Sequence, residues 1–149
     1  MTPTPVSQWA LDHKVELLRP SSTEEIAQAV EGVDCVVTIG YGVLLPESLL
    51  KIPTRGFLNL HFSLLPRWRG AAPVQRAIEA GDPVSGVTVF QLDAGMDTGP
   101  IYTVHRYALD AQPLPVNPII FIQKGDFMTP RKILHIFYGN LTSNMMIAS

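Results

Sequence analysis

Hydrophobic and polar positions follow two different periods along the first two thirds of the chain. Short apolar or alternating runs bounded by glycine and proline indicate strands, and segments with polar caps and mixed apolar positions indicate helices. The strands predicted in this way cover residues 14–18, 34–39, 56–61, 87–92 and 101–107. The predicted helices cover residues 5–13, 22–30, 46–50 and 73–80. Because strands alternate with helices, the sequence predicts an α/β fold with a mostly parallel sheet.

The pattern changes after Asp110. Pro113, Pro115 and Pro118 interrupt the chain, and neither the helical nor the strand period is sustained beyond them. We therefore expect one domain over residues 1–109 and an atypical tail over residues 110–149, either poorly ordered or a separate small element. A chain of 149 residues is long enough for one domain with a real core.

Composition and charge exclude several classes of protein. A net charge of −2 gives no global sign of nucleic-acid binding. The only cysteine, Cys35, excludes an intrachain disulfide, and its apolar surroundings predict a buried small residue. The N-terminus lacks the pattern of a signal peptide and no apolar run is long enough to span a bilayer, so we expect a cytoplasmic protein without membrane association. His13, His105 and His135 form no ligand pattern, so no metal site is predicted.

The strand at residues 56–61 carries the first candidate chemistry. Residues two apart in a strand share a face, so Phe57, Asn59 and His61 point to one side. The strand ends in a loop rich in proline, arginine and glycine, where open α/β sheets bind ligands. A structural hydrogen bond explains Asn59 alone equally well, and a lone histidine such as His61 is more often structural than catalytic.

Asp97 supplies a carboxylate from a second, glycine-rich segment at residues 92–100. Taken alone, Asp97 is typical of a turn residue, and the same holds for Asp93. Together with Asn59 and His61, however, it completes a set that polarises a carbonyl, holds negative charge and manages a proton. These three side chains are suited to the transfer of an acyl group to an amine. Ser63 lies outside any Gly-x-Ser-x-Gly motif, which argues against a covalent serine mechanism.

A local basic patch follows the same strand. It contains Arg67, Arg69 and Arg76, with Trp68 among them. Two interpretations stay open, a solvated loop or a contact for an anion or phosphate near the entrance of the site.

Several of these motifs together resemble the folate-dependent formyltransferases. The resemblance rests on Asn59-x-His61, on the Ser-Leu-Leu-Pro loop at residues 63–66 and on Asp97 within Asp-x-Gly-x-Asp-Thr-Gly, and it extends over residues 4–107. It implies a Rossmann-like core and transfer of a formyl group from 10-formyltetrahydrofolate. Residues 67–78 are most similar to the members that formylate the amino group of methionyl-initiator tRNA, a step of translation initiation. Glycinamide ribonucleotide and an amino sugar stay open as alternative acceptors.

The resemblance also implies a role for each motif residue. Asn59 would bind the formyl oxygen, and His61 would stabilise the oxyanion or transfer a proton. Asp97 would orient His61 and help to carry the proton away from the attacking amine. The folate site would be formed by Ser63, Leu64, Leu65 and Pro66, with Val43, Leu44 and Leu45 lining the pterin pocket.

The sequence also departs from the family pattern. The N-terminal strand and helix of the family and its C-terminal tRNA-binding domain have no counterpart here, so residues 1–109 would be a partial catalytic domain. We therefore also consider a non-catalytic remnant of such an enzyme. The expected partner is initiator methionyl-tRNA, and the expected assembly is a monomer.

Overall fold

The computed structural model describes residues 5–109, 133–137 and 145–148. Its helices are α1 (Pro5–Asp12), α2 (Thr23–Ala29), α3 (Glu47–Leu50) and α4 (Pro73–Glu79). Its strands are β1 (Glu16–Leu18), β2 (Cys35–Ile39), β3 (Phe57–His61), β4 (Val84–Gln91), β5 (Ile101–Ala108), β6 (Ile133–Phe137) and β7 (Met145–Ala148). Every predicted helix and strand is present, with shifts of up to a few residues at its ends. None of the helices in these ranges is long and apolar enough to cross a membrane.

The strands form one sheet in the order β1-β7-β6-β2-β3-β4-β5. The α/β class is confirmed, but the strand directions correct the expected mostly parallel sheet. Only β6, β2 and β3 run parallel to one another, and the other neighbouring pairs are antiparallel. For the β3–β4 pair, the reason lies in the connection between the two strands. Its 22 residues, 62–83, leave β3 at His61 and enter β4 near the residue paired with His61, so α4 does not return the chain across the sheet.

The hydrophobic core covers one end of the face that carries Asn59 and His61. Val36 on β2 and Phe57 on β3 are paired in register and fully buried, and they lie in a cluster with residues of α2 and α3. Further along the same face of β3 come Asn59 and His61. The face therefore passes from apolar to polar in the direction of the carboxyl ends of the parallel strands. Cys35 is buried, as predicted, and burial raises the pKa of its thiol.

Two segments from the predicted tail belong to this sheet. Strand β6 pairs in parallel with β2, and β7 pairs with both β6 and β1. The rest of the tail, residues 110–132, 138–144 and 149, lies outside the described residues. The division into a domain and a tail at residue 109 stays a prediction.

Gly86 on β4 packs against the side chain of Leu64, which follows β3. A Cβ added there would overlap both the side chain of Leu64 and the backbone oxygen of His105. We expect Gly86→Ala to lower the free energy of unfolding by about 1–3 kcal/mol, because overpacking a buried position displaces its neighbours. Denaturant unfolding followed by circular dichroism measures the change. Gly42→Ala is the matched control, since a Cβ at Gly42 meets open space, and equal losses in both variants would contradict the prediction.

Candidate active site

Asn59 lies in the middle of β3 with its side-chain amide held on one side. Its Oδ1 accepts a hydrogen bond of 2.8 Å from the hydroxyl of Thr38, which is its register partner on β2. The residue is only 8% exposed. Its Nδ2 group donates no hydrogen bond within the described part of the chain. The amide is therefore oriented with a donor available to an oxygen atom of a ligand.

His61, two residues further on, has different surroundings at its two ring nitrogens. Nε2 lies 2.7 Å from the backbone oxygen of Trp68. A carbonyl oxygen only accepts, so Nε2 carries the hydrogen of this bond. Nδ1 lies 3.6 Å from Oδ2 of Asp97. Nδ1 is therefore the ring nitrogen that faces the carboxylate.

Asp97 connects the two loops that meet over His61. Its Oδ2 accepts a hydrogen bond of 2.7 Å from the N–H of Gly70, and its backbone oxygen accepts one of 2.9 Å from Nε of Arg69. Asp97 adopts a left-handed backbone conformation with φ of 53°, which aspartate tolerates better than most residues. These bonds hold the 92–100 loop against the loop that follows β3. The three predicted catalytic side chains are thus brought together from β3 and one distant loop.

The Ser63–Pro66 segment is fixed by hydrogen bonds rather than by packing alone. Ser63 is fully buried and its hydroxyl donates to the backbone oxygen of Arg67 over 2.6 Å. The hydroxyl of Thr88 donates to the Ser63 backbone oxygen and accepts from the N–H of Leu65. Leu64 and Leu65 are partly buried, and Pro66 is exposed. The Ser63 hydroxyl is committed to this support, in agreement with the argument against a serine nucleophile.

The other predicted folate residues divide into two groups. Val43 and Leu44 are 51% and 63% exposed in the loop that follows β2, whereas Leu45 belongs to the core. Because β2 and β3 are parallel, this loop and the Ser63–Pro66 segment leave the same edge of the sheet. Their contribution to one ligand pocket stays a prediction.

One of the three arginines in the predicted basic patch is paired with a carboxylate of the protein. Arg67 makes two hydrogen bonds, of 2.8 and 2.7 Å, to the carboxylate of Asp82. Trp68 donates from its indole to the same carboxylate, and the Arg67 guanidinium lies over its ring. The hydrogen bonds from Arg67 and Trp68 lower the pKa of Asp82 to about 2. This arrangement secures Trp68, whose backbone oxygen receives the His61 hydrogen bond.

The candidate site is separate from a cavity of about 510 Å³. That cavity is lined by residues such as Cys35, Leu58 and Gln91. Leu58 precedes Asn59 in the strand and so points to the opposite face of the sheet. No cluster of metal-ligating side chains is present among residues 7–109, the range in which side chains are described.

Sequence reasoning missed three contributors to the site. Thr38 lies in the strand predicted over residues 34–39, and a hydroxyl inside such an apolar strand indicates a buried hydrogen bond. The other two are backbone groups, the oxygen of Trp68 and the N–H of Gly70. Backbone groups are common to all residue types and leave no signal in the sequence.

Comparison with protein families decides the relationship of this chain. Residues 4–113 match the family described as formyl transferase. The chain belongs to the formyl transferase family. The Rossmann-like formyltransferase core expected from the sequence motifs is confirmed by the solved structures that it resembles. Among these, phosphoribosylglycinamide formyltransferase from Bacillus halodurans is 34% identical with a TM-score of 0.56, and the match covers 63% of this chain and 52% of that chain.

Curated formyl transferase relatives show higher identity. Methionyl-tRNA formyltransferase from Mycobacterium sp. (strain KMS) is 52% identical over 107 residues, which cover 69% of this chain and 35% of the relative. The enzyme of the same name from Stutzerimonas stutzeri (strain A1501) is 50% identical over 105 residues, which cover 68% of this chain and 33% of the relative. The chain thus spans about a third of the length of these relatives.

Proposed function

We propose that this chain transfers a formyl group from 10-formyltetrahydrofolate to the amino group of methionyl-initiator tRNA. The observation that carries the reaction type is the convergence of an amide, an imidazole and a carboxylate, with Nδ1 of His61 3.6 Å from Oδ2 of Asp97. The choice of acceptor is supported by identities of 50% and 52% to two methionyl-tRNA formyltransferases.

The reaction needs no nucleophile from the protein, because the amine of the acceptor attacks the formyl carbon itself. A new C–N bond forms and the bond between the formyl carbon and N10 of the folate breaks. The proton lost by the amine is taken up by the departing nitrogen. The protein has to position the reactants, stabilise negative charge on the formyl oxygen and move that proton.

Each of the three side chains has a chemical task that fits its surroundings. The free Nδ2 donor of Asn59 binds the formyl oxygen as charge develops there. His61 stabilises the same charge or relays the proton at Nδ1, because its Nε2 is held by the Trp68 backbone oxygen. Asp97 orients the imidazole and stabilises its positive charge.

The proposed folate site lies at the edge of the sheet where β2 and β3 end. The exposed apolar side chains of Val43 and Leu44 suit the flat ring of a pterin. Leu45 supports that loop from the core, and the Ser63–Pro66 segment forms the neighbouring wall. The hydrogen-bonded Ser63–Pro66 segment is rigid enough to serve as a preformed surface.

A second acceptor, glycinamide ribonucleotide, is favoured by one specific observation. Several of the solved structures that this chain resembles are phosphoribosylglycinamide formyltransferases, with 34% identity in the Bacillus halodurans enzyme. The lower identity ranks this acceptor second. Both acceptors present a primary amine, so the same three side chains serve either reaction.

Formyl transfer to competing acceptors tests the proposal. The purified chain is given 10-formyltetrahydrofolate with methionyl-tRNA, glycinamide ribonucleotide or an amino sugar, and kcat/KM is measured for each. We expect methionyl-tRNA to give the highest value. A higher value for either other acceptor would replace the proposed substrate. If no acceptor is formylated although a folate analogue binds, the chain is a non-catalytic member of the family.

A further inference from the structure

We infer that Thr38 is a positioning residue that orients the side-chain amide of Asn59 for formyl transfer. The inference rests on the proposed function, and it adds a residue from β2 to a site so far built from β3 and two loops. Thr38 is fully buried, and its hydroxyl bonds are to groups of β3. It acts through Asn59, to which its hydroxyl is hydrogen-bonded over 2.8 Å.

The presence of a hydroxyl at this position calls for an explanation. Valine has nearly the same shape as threonine, and the residues that precede Thr38 on the strand, Val36 and Val37, are apolar. Burying a hydroxyl is unfavourable unless a hydrogen bond compensates for the lost water. The acceptors within reach of Thr38 Oγ1 are Asn59 Oδ1 at 2.8 Å and the Leu58 backbone oxygen at 3.2 Å. Because the hydroxyl has a single hydrogen, the shorter bond to Asn59 takes precedence.

This bond selects one of the two orientations of the amide. With Oδ1 receiving the Thr38 hydroxyl, Nδ2 points away from Thr38 and keeps its donors for a ligand. The opposite orientation would present an oxygen to the formyl oxygen, and two acceptors would repel each other. The register of β2 against β3 places Thr38 directly beside Asn59, so the bond follows from strand pairing rather than from a mobile loop.

The test compares Thr38→Val, which keeps the shape and removes the hydroxyl, with Thr38→Ser, which keeps the hydroxyl. We expect Thr38→Val to lower kcat by about 10- to 100-fold, because a misplaced oxyanion donor loses its effect in the transition state. The KM for the acceptor should stay unchanged and Thr38→Ser should restore most of the rate. Thr103→Val, on the exposed strand β5, controls for the loss of a threonine hydroxyl elsewhere.

The decisive comparison repeats Thr38→Val in an Asn59→Ala background. If Thr38 acts through Asn59, the second substitution has little further effect on kcat there. An equal loss in both backgrounds would show a general structural role and would overturn the inference.

A readout without turnover separates this inference from the proposed function. In the ¹⁵N spectrum of the full chain, the side-chain amide signals of Asn59, assigned by their loss in Asn59→Ala, should shift or broaden in Thr38→Val and stay near the wild-type positions in Thr38→Ser. Unchanged signals in Thr38→Val would overturn the inference. If the signals respond but no acceptor is formylated, the orienting role stands and the proposed function fails.

Discussion

Asn59→Ala is expected to slow formyl transfer by about 10²–10³ in kcat, the usual cost of removing one donor from an oxyanion site. The side chain is only 8% exposed and its Oδ1 is already bound to Thr38, so its Nδ2 is the group left for the formyl oxygen. Steady-state kinetics with the best acceptor measures the loss. The effect should appear in kcat more than in KM, because the charge on the oxygen is largest in the transition state.

Asn59→Ala does not leave the buried hydroxyl of Thr38 without a hydrogen-bond acceptor. The hydroxyl of Thr38 keeps an acceptor in the Leu58 backbone oxygen at 3.2 Å, so Asn59→Ala should fold with moderate loss of stability. Gln28→Ala, which removes an exposed amide from α2, is the matched control. Turnover of Asn59→Ala equal to that of the control would remove Asn59 from the mechanism.

Asp97→Asn is expected to lower kcat by about 10²–10⁴, because the carboxylate supports proton transfer at His61 and general acid–base catalysis contributes in this range. The substitution removes the negative charge 3.6 Å from His61 Nδ1 and preserves much of the local structure. An asparagine also tolerates the left-handed conformation at this position, and its side-chain oxygen can still accept the hydrogen bond from Gly70. The loss should therefore report the missing charge rather than a collapsed loop.

A nearby carboxylate provides the control for Asp97→Asn. Asp93 lies in the same loop, where its Oδ1 accepts hydrogen bonds from the Gly95 N–H and the Thr98 hydroxyl. Asp93→Asn makes the same chemical change without touching His61. Both rates are measured by single-turnover kinetics, which isolates the chemical step. Similar losses in the two variants would attribute the effect to the loop and not to the charge beside the imidazole.

The sequence predicted the local structure of β3 well, because alternation in a strand is a strict geometric rule. It placed Asn59 and His61 on one face from their spacing alone. Asp97 is different, since its segment is typical of an ordinary turn, and only the chemistry of its carboxylate, together with the family resemblance, connects it to His61. The distance between them depends on the way residues 92–100 fold back, which is fixed by the Gly70 N–H and Arg69 side chain.

Strand direction was the part of the fold that the sequence did not predict. A pattern of strand, helix and strand is typical of parallel pairs, but α4 is only seven residues long and the chain re-enters the sheet beside His61. Whether a helix crosses the sheet depends on packing between distant segments, and hydrophobic periodicity carries no information about it. Thr38 was missed for a related reason, because its partner lies 21 residues away.

The two predicted catalytic residues on β3 and the loops around them differ in how freely they can vary. Asn59 is paired with β2 on one side and β4 on the other, and His61 is paired with β4, whereas the segments after β2 and β3 have no such ladder. Surface segments accept insertions and exchanges that strands do not. For the proposed function, designs for new amine substrates should therefore change these segments outside the predicted folate residues and keep the Trp68 and Gly70 backbone contacts that hold His61 and Asp97.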